Sequence, residues 1–194
     1  MNDDVRGALR RAMRARRRAL PAPERIAAAA PLAERLLALP FAPRTGAVAG
    51  YWAMDGEIPL HAWQLRLPAG VRYCLPVLHA DDTLRFAPWS PGMPLAPNRY
   101  GIPEPQVSDD ALLAPAELDL VVVPLVAFDA RGHRLGMGGG WYDRSFAFRT
   151  THPAPPRLVG AAFALQQAED IAPQPWDVPL DAVCTDSDTF LATA

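Results

Sequence analysis

Residues Asp119 to Arg144 read DLVVVPLVAFDARGHRLGMGGGWYDR. Taken with Leu118, the first part is LDLVVV, nearly all apolar and rich in β-branched residues. That is the pattern of a strand buried on both faces of a parallel sheet. Phe128 to His133 (FDARGH) reads as a turn. A glycine-rich run from Gly136 to Gly140 follows, and Trp141 to Phe148 opens a helix. Strand, turn, glycine run and helix in this order form a unit of an α/β fold.

The alternation continues on both sides. Upstream, Thr45 to Tyr51 (TGAVAGY) predicts a short buried strand. Pro59 to Leu67 predicts a helix with proline in its first turn. Val71 to Val77 predicts a strand, and Thr83 to Trp89 pairs with it. Pro88 to Pro105 reads as one long proline-rich loop, the kind that is often functional. Downstream, Leu158 to Phe163 and Ala182 to Cys184 predict the last strands.

Two helices precede all of these. Val5 to Leu20 keeps Val5, Leu9, Met13 and Leu20 at near-helical spacing. Glu24 to Leu39 reads as a second helix, kinked at Pro31. Arg6, Arg10, Arg14 and Arg18 recur every four residues and form one stripe, most of which is expected to be a solvated basic face. The expectation is a single domain over residues 1–194. Its fold is a three-layer α/β one, a mostly parallel central sheet with helices on both faces.

Composition narrows the class. The chain has 194 residues, half of them hydrophobic and 21% charged, with a net charge of −2, the balance of an ordinary globular protein. All 19 basic residues are arginine, so chemistry needing a lysine nucleophile or a P-loop lysine is excluded. The first twenty residues lack the apolar core of a signal peptide. The longest apolar stretch, Leu118 to Phe128, is too short to span a bilayer and contains Asp119 and Pro124. Cys74 and Cys184 stand alone, as reduced thiols of a cytosolic protein would. A cytoplasmic location with no membrane association is therefore expected. Nucleic-acid binding is not, since the chain outside the first helix is acidic and no reading motif is present. His61, His79, His133 and His152 show no metal-binding spacing.

Glycines in the run let successive N–H groups point into one concavity and bind an anion. The next helix adds its dipole at the same spot. Arg134 and Arg144 flank the run and suit bidentate contacts to phosphate oxygens. The run is not a Walker A loop, because the lysine is missing, nor a dinucleotide fingerprint, because Trp141 stands where the third glycine belongs. The plain alternative is a glycine-rich turn with no ligand.

The stretch Asp119 to Arg144 resembles the signature of the 5-formyltetrahydrofolate cyclo-ligase family. The likeness runs through the chain in order. Arg6-Gly7-Ala8-Leu9-Arg10 resembles the family's basic N-terminal helix, and Tyr51 to Ile58 (YWAMDGEI) its substrate segment. Tyr100-Gly101-Ile102-Pro103-Glu104-Pro105 resembles its mid-chain loop. Trp176 to Asp181 (WDVPLD), with Thr185 after it, resembles its C-terminal motif. The resemblance implies an enzyme that uses ATP and Mg²⁺ to close 5-formyltetrahydrofolate to 5,10-methenyltetrahydrofolate. In that reaction the formyl oxygen is phosphorylated, because an amide-like oxygen leaves poorly until it carries a phosphoryl group.

It further implies that Arg6, Arg10, Arg134, Leu135, Gly136, Met137, Gly138, Gly139, Gly140, Trp141 and Tyr142 bind the nucleotide. Arg134, Tyr142 and Asp143 are the expected catalytic residues. Asp143 and Asp177 are the expected metal pair, with Asp181 a weaker third. Unpaired, two such carboxylates beside a triphosphate would require a cation. Glu57 is matched to the substrate-binding glutamate, in competition with Asp55, and Trp52 and Tyr100 are candidates for packing on the pterin or benzoyl ring. Where many family members carry lysine this chain has Arg6, which keeps a cationic phosphate contact with a different geometry. The basic residues that some members carry at the places of Met137 and Gly139 are absent, which removes two possible contacts. A monomer acting on small molecules is expected. The second reading is another ATP-using enzyme of the same fold, acting on a different formyl or amide compound.

Overall fold

The computed structural model describes residues 3–192. Its elements in chain order begin with α1 (Asp3–Ala19), α2 (Ala22–Ala27) and α3 (Ala29–Leu37). Next come β1 (Thr45–Ala49), α4 (His61–Leu65), β2 (Gly70–Leu78), β3 (Leu84–Pro88), β4 (Leu95–Pro97) and β5 (Pro103–Pro105). The chain ends with β6 (Leu120–Pro124), β7 (Ala127–Phe128), β8 (Arg134–Leu135), α5 (Trp141–Ser145), β9 (Arg157–Ala161), β10 (Ala182–Cys184) and β11 (Thr189–Leu191).

The apolar run LVVV becomes β6 at the middle of a seven-stranded sheet, ordered β11-β10-β9-β6-β1-β2-β3. The five inner strands are parallel, and β3 and β11 run antiparallel at the two edges. Period-two alternation sorts each inner strand into two cores. Val48, Tyr73, Leu120, Val122, Val159 and Ala182 face one core, with Leu32, Leu36 and Trp63 of α3 and α4. Ala47, Cys74, Val121, Val123, Leu158 and Val183 face the other, with Phe146. The expected three-layer, mostly parallel fold is present. Its second helical layer is thin, consisting of α5 and a 3-10 turn at Ala147–Thr150. A third cluster joins Met13 of α1 to Ala127 and Leu135 of the β7–β8 hairpin.

Several expected elements differ. The second helix breaks at Ala28, ahead of Pro31. Proline lacks the N–H that would reach the carbonyl four residues earlier, so the interruption falls one turn before it. The stretch read as a proline-rich loop contains the β4–β5 hairpin, closed by Asn98 N–H to the Ile102 carbonyl at 2.9 Å. The helices expected at Pro59 and Trp141 are five residues each, and β11 was not foreseen. Val5, expected on the apolar face of α1, is 53% exposed.

The topology also positions a site. From β1 the chain goes to β2 on one side and later returns to set β6 on the other. The loops after β1 and β6 therefore diverge at their carboxyl ends, where open α/β sheets bind ligands.

Candidate active site

The loop after β1 presents Glu57 on a tight turn. Asp55 and Gly56 both have positive φ, 53° and 76°. The Glu57 N–H donates to the Met54 carbonyl at 2.9 Å. Asp-Gly is the pair that favours such a mirror-image turn. The Glu57 carboxylate folds back onto the Met54 N–H at 2.9 Å. Burial pushes its carboxyl up to about 7, against the lowering effects of that N–H and of the Arg17 guanidinium. The two competing carboxylates are thereby separated in role. Asp55 is engaged by Arg14 at 2.7 Å, by Arg17 at 2.8 Å and by Arg18. Burial pushes the Asp55 carboxyl up, but hydrogen bonds from Arg14 and Arg18 outweigh it and hold it below the usual range.

The loop after β6 carries the glycine run. Hairpin β7–β8 lifts it off the sheet, held by Asp129, whose carboxylate accepts from Arg131 N–H at 3.0 Å and from His133 and Ile171. Gly138 and Gly140 take φ of 97° and 66°. The Gly136 carbonyl accepts from Arg10 Nε at 2.9 Å, and the Gly139 carbonyl from Arg144 at 2.8 Å. With these carbonyls held outward by arginines, the N–H groups of Gly136 to Gly140 donate to no acceptor among the described residues. A row of such donors is a nest for an anion. The five-residue α5 is too short to contribute the dipole expected of it. Leu135 is fully buried in the hairpin core and Met137 is 53% exposed. Arg144, expected at a phosphate, also donates to the Asp82 carbonyl at 2.9 Å and braces the loop instead.

Other predicted residues gather around these two loops. Arg99 and Arg144 lie over the Trp141 ring at 5.3 and 5.1 Å, and Tyr100 meets it edge-on at 6.4 Å. Tyr100 thus joins the glycine loop through Trp141. Burial pushes the Tyr142 phenol well up, and the negative charge of Glu57 pushes it further, so the two groups lie within electrostatic reach of each other. Trp52 stands edge-on to Trp89 at 5.8 Å, and Trp89 leads to Tyr73 at 6.4 Å.

Asp143 reaches the segment that carries Asp177. Asp143 Oδ1 accepts from the Val178 N–H at 3.1 Å, next to Asp177, and from Arg134. Asp177 Oδ2 accepts from Arg6 at 3.3 Å and from the Gln174 N–H at 2.9 Å. The two carboxylates are not unpaired, as the sequence reading had them, because Arg134 and Arg6 already supply positive charge. Asp181 lies elsewhere. Its oxygens take Arg157 at 2.8 Å, Arg149 at 3.3 Å and the Leu158 N–H at 2.7 Å, at the amino end of β9. With both oxygens occupied at the amino end of β9, opposite the carboxyl ends where the two loops lie, it is not part of this pair.

The arrangement has a family match. The profile of the 5-formyltetrahydrofolate cyclo-ligase family covers residues 2–186. The chain belongs to that family. It is 37% identical over 182 residues to the 5-formyltetrahydrofolate cyclo-ligase of Escherichia coli (strain K12), covering 90% of this chain and 97% of that one. It is 40% identical over 136 residues to the one of Haemophilus influenzae, covering 69% and 72%. The solved structure of Aquifex aeolicus 5,10-methenyltetrahydrofolate synthetase superposes with a TM-score of 0.82 at 27% identity, covering 98% of this chain and 94% of that one.

For a cyclo-ligase, the donor set bears on the metal expected. Among the described residues no group of three or more His, Cys, Asp or Glu could cage an ion. Asp143 Oδ2 and Asp177 Oδ1 make no hydrogen bond among them either. One or two carboxylate oxygens completed by waters and phosphate suit Mg²⁺.

Sequence reading missed Arg17, Tyr73, Trp89 and Arg99 of this cyclo-ligase. Arg17 had a legible signal. Arg6, Arg10, Met13 and Arg17 keep helical spacing, and Arg6, Met13 and Arg17 are 6%, 6% and 0% exposed. The inward face of α1 mixes arginine with apolar residues, so apolar spacing finds Leu9, Met13 and Leu20 but passes over Arg6 and Arg17. Arg6, Arg10 and Arg14 bind protein groups at least partly shielded from solvent, whereas Arg18 is exposed although it ion-pairs with Asp55, so only part of the stripe is a solvated face.

Proposed function

We propose that this chain closes 5-formyltetrahydrofolate to 5,10-methenyltetrahydrofolate at the expense of ATP, with Mg²⁺. The observation that carries the reading is a pair of loops at the carboxyl ends of adjacent strands, a row of unused amides on one and a half-buried carboxylate on the other, in a chain of the cyclo-ligase family. The formyl oxygen attacks the γ-phosphorus and ADP departs. The neighbouring folate nitrogen then attacks the phosphorylated carbon, its N–H proton is lost, and the C–O bond breaks so that phosphate leaves and takes up that proton. Phosphoryl transfer needs positioning and charge neutralisation more than covalent help.

The amides of Gly136 to Gly140 cradle phosphate oxygens, with Arg6 and Arg10 beside them. Arg134 fixes Asp143 and adds positive charge where the transferred group passes. Asp143 and Asp177 hold the metal, which supplies charge neutralisation at the phosphates. The Glu57 carboxylate accepts from pterin N–H groups. Trp52 and Tyr100 pack against the aromatic parts of the folate, and Tyr142 stands beside the nucleotide. The reaction takes place in the cytoplasm on a monomer. Two buried free thiols, Cys74 and Cys184, suit a reducing compartment. No helix among the described residues is long and apolar enough to cross a membrane.

The test mixes purified protein with 5-formyltetrahydrofolate and Mg-ATP and follows the near-ultraviolet absorbance of the methenyl product. A rise that requires both ATP and Mg²⁺ is expected. A folded protein that binds ATP without that rise would reject the substrate.

A further inference from the structure

Three arginines of α1 converge on the Asp55 carboxylate, and one of them does so from the interior. Arg17 is 0% exposed. Its Nε donates to the Asp55 carbonyl at 3.1 Å, Nη2 to Asp55 Oδ2 at 2.8 Å and Nη1 to the Leu125 carbonyl at 3.1 Å. The same Nη1 lies 3.9 Å from Glu57 Oε1. A permanently charged guanidinium is costly to bury, and an apolar side chain would pack there without that cost. What the charge obtains in return is geometry. Leu125 is the first residue after β6, and Asp55 lies in the loop after β1. Arg17 therefore ties together the two loops that diverge at the switch point, and it does so within one residue of Gly56, where the chain turns to present Glu57.

We propose that Arg17 is a positioning residue for the Glu57 carboxylate, acting through the Asp55–Gly56 turn. The proposal rests on Glu57 recognising the folate. The charged and titratable groups around Glu57 are Arg17 of α1, Asp55 of its own turn, Tyr51 after β1 and Tyr142 of α5. Arg25 of α2 lines the same cavity, about 390 Å³ in volume. Among the described residues Arg17 is the only cation within ion-pair range of Glu57. Loss of Arg17 removes a favourable charge from Glu57, and loss of the Asp55 charge removes an unfavourable one.

The test is kcat/KM for 5-formyltetrahydrofolate against pH, at saturating Mg-ATP. Arg17→Met should move the ascending limb up by about one pH unit, and Asp55→Asn should move it down. Arg17→Lys keeps the charge without the fork. It should leave the limb in place while raising KM for the folate about tenfold or more, with KM for ATP unchanged. Limbs that coincide in every variant, with kcat/KM lowered uniformly, would mean a purely structural arginine and overturn the proposal. If Arg17→Met does not fold, Arg17→Lys and Asp55→Asn decide the matter between them. A parent chain that makes no methenyl product overturns the folate reading itself, and the proposal with it.

Discussion

Asp143 concentrates its hydrogen bonds on one oxygen, where Arg134 and the Val178 N–H both donate. Asp143→Asn keeps the shape and an acceptor for those donors while removing the charge. It should lose on the order of 10²–10³ in turnover with little change in melting temperature, as initial rates and circular dichroism would show. Turnover at the parent rate would reject the metal role. Glu57 makes a different prediction, about stability. Its carboxyl is raised from 4.5 to about 7. The folded state therefore holds the proton more tightly than the unfolded chain, and stability falls as pH rises from about 4.5 through 7. Glu57→Gln removes that cost. The variant should be more stable than the parent at pH ~8 by up to about 3 kcal/mol, and the gain should close towards pH ~5. Denaturant melts at the two pH values would reveal it, and parallel curves would mean that Glu57 titrates normally.

Among the elements, the glycine run differs from an ordinary connection because, in the proposed function, its backbone amides hold the nucleotide. Gly138 sits at φ 97°, a value L side chains rarely adopt, and Arg10 lies 3.7 Å from where its Cβ would be. Space is therefore available and conformation is not. Gly138→Ala should introduce about 1–3 kcal/mol of local strain. The amides would turn out of the nest to relieve it. KM for ATP should rise while KM for the folate holds, in initial-rate measurements with each substrate varied. Equal rises in both would mean the loop does not belong to the nucleotide alone. Helix α1 acts on the same scale. Arg6 reaches the 172–177 loop, Arg10 the glycine run, and Arg14, Arg17 and Arg18 the Asp55 turn. One helix face thus braces all three parts of the site.

At the scale of the whole molecule, the site lies between loops that rigid parallel strands hold at fixed spacing, so ligand binding couples to the stability of the sheet as a unit. Mg-ATP at about 100 times its dissociation constant should stabilise the native state by about 2.7 kcal/mol. For a chain of this size that corresponds to roughly 5–10 °C in melting temperature. Chelation of the divalent cation should cancel most of the ATP shift and leave the shift given by 5-formyltetrahydrofolate alone. A nucleotide shift that survives chelation would separate ATP binding from Asp143 and Asp177.

What was legible in the sequence was set over short distances along the chain. The apolar run of β6 needs only its own alternation and burial, and the glycine run needs only backbone freedom. Those features determined the parallel sheet and the loop. The Asp55–Gly56 turn went unread, although it needs only a pair of residues that tolerate positive φ. The β4–β5 hairpin was illegible because its prolines look like loop residues, and the buried face of α1 because its arginines look like solvent-facing ones. Which carboxylate is clamped and which remains available was decided by the fold alone. Arg17 and Asp55 are 38 positions apart and Arg6 and Asp177 are 171 apart, so no local pattern carries their pairing. A charge chooses its partner by distance and burial in three dimensions, and only the packing of α1 across the switch point supplies both.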